Sequence, residues 1–323
     1  DTNLPRIDYS PYSGAGTCGH WLFEPQSTNK IIYSEDFTQW NKSTAITVTS
    51  NAITSPSGDL NASLLSTTTT NRFIYLSVSS AANSTFSIYV KWKNGSGDID
   101  LSVDGASNYT SVSVTSEWTR VSITPSSSIS QVVLRIPTAS ELYVWGAQVE
   151  AQSFATSYIP TNGSTVTRLQ DAAFGAGSSD LINSTEGVLY AEIATLANFG
   201  TRAITLSSGS NNDAVLISFN SNGRLDVNLT SGGSFQAIFN YTGVANPNTF
   251  NKIAFKYKQD DFSLFVNGVK VATDTSGLTP IGLNVLNFAK ANSAQDKFFG
   301  KTKCLAVFKE ALTDAELTCL TTI

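Results

Sequence analysis

The clearest indication of the fold is Phe262-Ser-Leu-Phe-Val-Asn-Gly-Val-Lys-Val271. Its apolar residues alternate with other residues up to Asn267-Gly268, and the alternation resumes at Val269 and Val271. A period of two is typical of a β-strand with one buried face. Asn-Gly favours a type I′ turn because both residues tolerate positive φ. The stretch therefore predicts two antiparallel strands joined by a tight hairpin.

Similar patterns flank this hairpin throughout the second half of the chain. Apolar alternation before and after Ser221-Asn222-Gly223 predicts another type I′ hairpin. Thr313-Asp-Ala-Glu316 is a capping box, which predicts a short C-terminal helix with Leu312 and Leu317 as its apolar contacts. Further strands are predicted around three alternating triplets: Leu189, Ala191 and Ile193; Ile253, Phe255 and Tyr257; Cys304, Ala306 and Phe308.

The first half alternates in the same way, with turn residues at intervals of about ten and no helical pattern. Asn94-Gly-Ser-Gly97 and Asp104-Gly105 are the sharpest turn signals. Such spacing favours a β-sandwich of the jelly-roll kind. The alternating apolar residues are Phe86, Ile88, Val90 and Trp92, then Ile99, Leu101 and Val103, then Val112 and Val114, then Val121 and Ile123, then Val132, Leu134 and Ile136, with a last strand within 142–149.

These patterns predict an all-β chain of two tandem β-sandwich (jelly-roll) domains with one short C-terminal helix. Pro160 and Gly163 interrupt the polar segment between the two patterns, so we place the sandwiches at residues 30–162 and 163–323. Residues 1–29 are rich in Pro and Gly and are predicted to be an irregular lead-in. Because the 323 residues contain no Met, we expect the lead-in to follow a missing upstream segment.

Composition excludes several classes of function. The net charge is −5 and no basic run is present, which argues against nucleic-acid binding. The apolar runs are too short for a membrane span. A single histidine, His20, argues against a histidine-rich metal site and against Ser-His-Asp catalysis. Cys18, Cys304 and Cys319 are too few for a zinc site, and either a Cys304–Cys319 bridge or free thiols fit the odd count. We therefore predict no metal and no cofactor.

Residues 183–322 resemble a concanavalin-A-like (laminin-G-like) jelly roll. The resemblance lies in the opening hairpin, in Phe250-Asn-Lys-Ile-Ala-Phe-Lys-Tyr-Lys258, and in Phe299-Gly-Lys-Thr-Lys-Cys-Leu-Ala-Val-Phe-Lys-Glu-Ala-Leu-Thr-Asp-Ala-Glu-Leu317. In that family a final strand leads into a short helix of this kind. The resemblance implies a two-sheet sandwich for the second half.

The first half is similar to a segment found in bacteriophage tail or fibre proteins. The matching stretches include Tyr33-Ser-Glu-Asp-Phe-Thr-Gln-Trp40, Leu142-Tyr-Val-Trp-Gly-Ala-Gln-Val-Glu150 and Ser153-Phe-Ala-Thr-Ser-Tyr-Ile-Pro-Thr161. The resemblance implies a carbohydrate-binding-module-like jelly roll joined to a concanavalin-A-like domain. It also implies a phage surface protein, often oligomeric, without catalytic residues.

We therefore expect a non-enzymatic virion fibre or appendage protein that adheres to host surface glycans by multivalent weak binding. It would be made in the host cytoplasm and reside on the virion surface, with other virion proteins and copies of itself, a trimer included, as partners. One alternative is a structural capsid or tail decoration protein without glycan binding. Another is a secreted or cell-surface adhesin. A third is a polysaccharide depolymerase, for which Asp98 and Asp100 have the spacing of a carboxylate pair.

Sugar binding requires exposed aromatic rings and planar polar groups near them. Tyr89 lies on the polar face of its predicted strand, and Tyr109 stands beside Asn108 in a predicted turn. Trp40 follows Phe37 in a short loop and is expected to be semi-exposed. Asn212 and Asp213 lie in a polar loop of the second domain. The candidate carbohydrate-binding residues are therefore Tyr89, Tyr109, Asn108, Trp40, Asn212 and Asp213.

Overall fold

The computed structural model describes residues 6–8, 19–196, 200–291 and 296–323. These residues form an all-β protein with a single short α-helix near the C-terminus, which confirms the predicted fold class. They divide into two compact units, which we call the first sandwich (Gln26–Leu169) and the second sandwich (the described residues before Gln26 together with Gln170–Ile323). The first sandwich is thus inserted into the chain of the second.

The elements are numbered in chain order. Two strands precede the first sandwich: β1 (Arg6–Asp8) and β2 (His20–Phe23). The first sandwich contains β3 (Ser27–Asn29), β4 (Asn41–Lys42), β5 (Ile46–Ile53), β6 (Ala62–Thr67), β7 (Arg72–Ser80), β8 (Thr85–Trp92), β9 (Gly97–Ser102), β10 (Thr110–Val114), β11 (Thr119–Ile123), β12 (Ile129–Ile136), β13 (Glu141–Glu150) and β14 (Val166–Arg168). The remainder are β15 (Glu186–Thr195), β16 (Arg202–Ser207), β17 (Ala214–Phe219), β18 (Leu225–Ser231), β19 (Ser234–Tyr241), β20 (Asn251–Lys258), β21 (Phe262–Val266), β22 (Val269–Asp274), β23 (Val285–Asn287), β24 (Gly300–Phe308) and α1 (Asp314–Thr321).

The first sandwich packs two five-stranded antiparallel sheets face to face. Their orders are β10-β9-β12-β7-β4 and β11-β8-β13-β6-β5. The apolar residues predicted from alternation, such as Phe86 and Leu134, form the core between the sheets because a period of two places them on one face. The strands at the two ends of this unit, β3 and β14, pair with each other, with Asn29 opposite Val166.

The second sandwich combines a seven-stranded sheet, β1-β2-β24-β15-β20-β21-β22, with a five-stranded sheet, β19-β18-β17-β16-β23. The core between them includes Phe255, Leu264 and Val227. Helix α1 covers part of the other side of the seven-stranded sheet, where Leu317 packs on Tyr190 and Phe265. The capping box is confirmed, with Thr313 accepting from the Glu316 amide.

The prediction of an irregular lead-in over residues 1–29 is wrong for its described part. Arg6–Asp8 and His20–Phe23 are strands of the second sandwich, and β2 pairs with β24. Phe23 is fully buried there, with its ring 4.5 Å from that of Phe288. Local sequence does not predict these strands, because three Pro and three Gly interrupt the segment and partners distant in sequence supply the pairing. The first sandwich accordingly spans Gln26–Leu169 rather than 30–162.

The two Asn-Gly turns differ. Asn267 and Gly268 have φ of 50° and 83°, as a type I′ turn requires. The turn between β17 and β18 is longer and spans residues 220–224, where only Gly223 has positive φ. Its conformation is set by Asn220, whose Oδ1 accepts from the amides of Asn222 and Arg224. The predicted two-residue type I′ turn is therefore wrong here, because hydrogen bonds to the Asn220 side chain stabilise a longer turn.

Cys304 and Cys319 are both free and exposed, whereas Cys18 lies outside the described residues. None of the helical residues described here forms a segment long and apolar enough to cross a membrane.

Candidate functional site

A groove runs over the outer face of the five-stranded sheet of the second sandwich, with a volume of about 430 Å³. Strand alternation builds its floor: Leu225, Val227 and Leu229 point into the core, so that Asp226, Asn228 and Thr230 point outward. On β17 the outward residue Leu216 lies opposite Asn228. The lining consists of Thr201, Ala203, Thr205, Asn211, Asn212, Ala214, Leu216, Ser218, Asp226, Asn228, Thr230, Gly233, Phe235, Lys290 and Asp296.

One apolar residue of the groove lining, Phe235, has a largely exposed aromatic ring. Phe235, at the start of β19, leaves 62 % of its surface exposed. It lies opposite Thr230, next to a bulge in the pairing of β18 with β19. A large aromatic ring with this much exposure gains little from folding. It therefore offers a free face to a ligand.

The floor of the groove has an unsatisfied acceptor. The Oδ1 atom of Asn228 is buried and has no hydrogen-bond partner. A buried polar atom without a partner costs on the order of 1–3 kcal/mol. A ligand hydroxyl is a suitable donor to Asn228 Oδ1 and would remove this cost once the side chains that cover the atom move aside on binding.

Charged groups at the rim are largely engaged with the protein. Asp226 accepts from Arg224 Nε at 2.6 Å and from Asn220 Nδ2 at 3.2 Å. Asp296 also lines the groove. Burial lowers the pKa of the Arg202 guanidinium, and the charge of Asp296 opposes this shift. Lys290 lines the groove as well and is exposed. The groove is consequently polar without a strong charge of either sign.

Of the two loop candidates of the second sandwich, one lines this groove and the other does not. Asn212 lines it, and its carbonyl oxygen accepts from the Gly233 amide at 2.9 Å. Asp213 does not line it, because its Oδ1 accepts from the amides of Gly232 and Ile281 and so holds two loops together. Of this pair, the structure brings only Asn212 to the groove.

The prediction that Trp40 is semi-exposed is wrong, because only 2 % of its surface is accessible. Its ring packs against Phe37 in the core, and its Nε1 donates to the Tyr33 carbonyl at 2.9 Å. A ring enclosed in this way has no free face for a sugar, so Trp40 is a core residue.

Tyr89 lies half-buried on the outer face of β8, in a packed aromatic cluster. The ring of Trp145 is 5.3 Å away, and Tyr158 packs on Trp145 at 4.4 Å. The Arg120 guanidinium lies 5.3 Å from the Tyr89 ring centroid and donates to the Thr156 carbonyl. Trp145 and Arg120 thus pack around the Tyr89 ring. Tyr89 does not line the groove of the second sandwich.

Tyr109 and Asn108 follow β9 in the first sandwich. Asn108 is exposed, but its side chain donates to Asp104 Oδ2 at 2.6 Å and so fixes the loop. The half-buried ring of Tyr109 lies 3.7 Å from the Arg135 guanidinium carbon. Asp100, named with Asp98 as a carboxylate pair, is buried and accepts from Arg135 at 2.9 and 2.7 Å. Asp100, Arg135 and the ring of Tyr109 thus lie together on one face of the sheet.

Residues 190–318 match the profile of the concanavalin A-like lectin/glucanases superfamily. The match covers most of the second sandwich, including the groove. Comparison with curated proteins finds no significant match.

Several solved structures align with 46 % of this chain at low sequence identity. The CBM40 of a Ruminococcus gnavus IT-sialidase, bound to α2,3-sialyllactose, is 19 % identical over 94 % of its length, with a TM-score of 0.40. A leech intramolecular trans-sialidase is 21 % identical over 26 % of its length, with a TM-score of 0.35. A SAP-like pentraxin from Limulus polyphemus is 13 % identical over 74 % of its length, with a TM-score of 0.36.

Sequence reasoning missed most of the groove. The period-two alternation that predicted β18 also assigns Asp226, Asn228 and Thr230 to its outer face, so this part of the signal was present. Phe235 and Lys290 carry no such signal, because their place in the groove depends on how β19 and the segment after β23 fold back along the sheet.

Proposed function

We propose that this chain is a glycan-binding protein that holds its ligand in the groove of the second sandwich. The proposal rests on one observation: the open ring of Phe235 and the unpartnered Oδ1 of Asn228 line the same polar groove. A sugar ring offers C–H groups to an aromatic face and hydroxyl groups to amides, which fits both features. The superfamily profile over residues 190–318 supports the assignment.

We further propose that the chain is a non-enzymatic component of a bacteriophage virion surface that adheres to host glycans. The support for this is the resemblance of the first half to phage tail and fibre segments. A groove with one exposed aromatic ring favours weak individual binding. Several copies on one particle would multiply that affinity by orders of magnitude.

The groove is tested with the tetramerised full chain on an array of bacterial surface polysaccharides. The decisive variant is Asn228→Leu, which removes the unsatisfied acceptor and keeps a similar volume. We expect weaker retention together with unchanged or increased thermal stability, because removal of an unpaired buried polar atom does not destabilise the fold. Retention equal to that of the wild type would contradict the proposal.

Phe235→Ala supplies the second measurement. Because its side chain is mostly exposed, truncation should leave stability unchanged and reduce the single-site affinity about tenfold, equivalent to about 1.4 kcal/mol, with a larger loss for the tetramer. The matched control is Val269→Ala, another exposed apolar truncation, on the edge strand β22 of the other sheet. Equal losses in the two variants would exclude a specific role for Phe235.

A further inference from the structure

The outer face of the β10-β9-β12-β7-β4 sheet in the first sandwich has an unusual composition. Strand register places Ser111, Asp100, Arg135 and Phe73 in one row across four adjacent strands. The next row contains Ser102, Val133, Tyr75 and Asn41. Tyr109 lies just before β10 and reaches the same face, where it meets Arg135. We call the set Phe73, Tyr75, Asp100, Tyr109 and Arg135 the aromatic platform.

The aromatic rings of the platform are partly open. Phe73 and Tyr75 are half-buried neighbours on β7, with ring centroids 6.1 Å apart. Tyr109 is half-buried as well, and Arg135 lies against its ring at 3.7 Å. The Tyr109 hydroxyl is a neutral donor at physiological pH, and burial raises its pKa further above the ordinary value of 10.0. Three aromatic side chains thus face outward from strands whose other outward residues are largely small and polar.

The polar part of the platform is held in a fixed geometry. Arg135 Nε and Nη2 both donate to the same oxygen of Asp100, at 2.9 and 2.7 Å. A paired guanidinium and carboxylate lose little further entropy when a ligand arrives. The loop that presents Tyr109 is fixed in turn by Asp104, whose Oδ1 accepts from the Ser107 and Asn108 amides. The groups are therefore ordered before any ligand binds.

Charge and size indicate the kind of ligand. The charges of Arg135 and Asp100 cancel, and the nearby acid Asp98 lies on the same strand. A strongly acidic polymer gains nothing from this arrangement, whereas an uncharged one does. The row from β10 to β7 crosses three strand spacings, about 14 Å. That is wider than a single sugar ring.

We propose that the aromatic platform is a second glycan-binding surface, which takes several consecutive rings of an uncharged linear glycan across the strands. It is separate in sequence and in unit from the groove of the second sandwich. One chain would then have two glycan-binding surfaces, one in each sandwich.

The test is a titration of the full-length, isotope-labelled chain with cello-, manno- and chito-oligosaccharides of one to six rings, followed by amide NMR. We expect shifts in β7, β9 and β12, with affinity that rises over the first few rings and then levels off. Shifts confined to the second sandwich, or no binding of any of these oligosaccharides, would overturn the proposal. This measurement needs no variant, so misfolding cannot obscure it.

Variants then assign the contacts. Tyr109→Ala should weaken binding of the longer oligosaccharides about tenfold, equivalent to about 1.4 kcal/mol, while Tyr109→Phe retains the ring and most of the affinity. Val269→Ala, an exposed apolar truncation on β22 of the second sandwich, is the control and should leave the shifts in β7, β9 and β12 unchanged. Wild-type affinity in Tyr109→Ala, or loss of those shifts in Val269→Ala, would overturn the proposal.

Discussion

Asp104 accepts hydrogen bonds from the loop that follows it and from Ser102. Its Oδ2 accepts from the Asn108 side chain at 2.6 Å, and its Oδ1 accepts from the Ser107 and Asn108 amides and from Ser102 Oγ at 2.7 Å. All these bonds favour the carboxylate, and the bond from the Asn108 side chain has the largest effect. They lower the pKa of Asp104 from 3.8 to about 2.

Asn108→Ala should therefore raise the pKa of Asp104 towards 3.8. A depressed folded-state pKa stabilises the fold above the unfolded value, and this contribution disappears as the pH falls through about 2. The variant should accordingly lose less stability than the wild type between pH 4 and pH 2. A ¹³C titration of the Asp carboxyl groups measures the shift, with Asn212→Ala as the control. An unchanged Asp104 midpoint in Asn108→Ala would contradict the argument.

Residue environments also explain the incorrect interpretation of Trp40. Its sequence neighbours suggest a short loop, and the chain indeed forms a single 3₁₀ turn at Phe37–Gln39. The turn directs Phe37 and Trp40 into the core beside Ile31. Whether a loop aromatic faces solvent depends on the sheets beneath it, which single-sequence periodicity does not describe.

At the scale of elements, helix α1 is a clear case of local sequence deciding structure. Thr313→Ala removes the capping hydroxyl and should lower the free energy of unfolding by about 1 kcal/mol. Thr318→Ala, an exposed position inside the same helix, should be neutral or slightly stabilising because Ala has the higher helix propensity. Urea unfolding of the full chain compares the two. Equal effects would show that the cap contributes nothing.

Strands with strong apolar alternation were predictable, and those without it were not. β8, β9 and β12 lie within a few residues of their predicted places because Phe86, Ile99 and Leu134 belong to unbroken alternating series. β5, Ile46–Ile53, is largely polar and exposed, so it carries little signal of its own. It is a strand because it pairs with β6. Pairing of this kind, like that of β2 with β24, joins residues far apart in sequence.

The candidate sites were predictable only in part, for a related reason. Residue type and turn propensity correctly placed Asn212 in a polar loop, and the loop borders the groove. The groove itself needs Asn228, Phe235 and Lys290, which lie on three separate segments. Similarly, Tyr109 was predictable as a turn aromatic, whereas its contact with Arg135 follows from the register of β9 with β12.

At the scale of the whole molecule, the insertion of one sandwich into the other determines which fragments fold. Residues 26–169 contain both sheets and the full core of the first sandwich, so this fragment should unfold cooperatively. Residues 170–323 lack β2 and the ring of Phe23, which stacks on Phe288. They also lack Arg6, whose guanidinium pairs with Asp171. We expect this fragment to lose cooperative unfolding and fixed tertiary packing.

Near-UV circular dichroism and calorimetry of the two fragments test this expectation. Phe23→Ala in the full chain is the milder version, with an expected cost on the order of 3–5 kcal/mol confined to the second sandwich. The matched substitution Trp21→Ala removes a partly exposed ring from the same strand and should cost much less. A well-packed 170–323 fragment would show that the N-terminal strands are dispensable.

The inserted arrangement also affects how the chain responds to proteases. The polypeptide passes into the first sandwich at Pro25–Gln26 and leaves it at Leu169–Gln170, so two peptide connections join the units. A protease that cuts one connection produces two bands on a denaturing gel, yet a continuous peptide link between the units survives. Release of the first sandwich requires both cuts. The two sandwiches therefore stay covalently linked after a single cleavage at either connection.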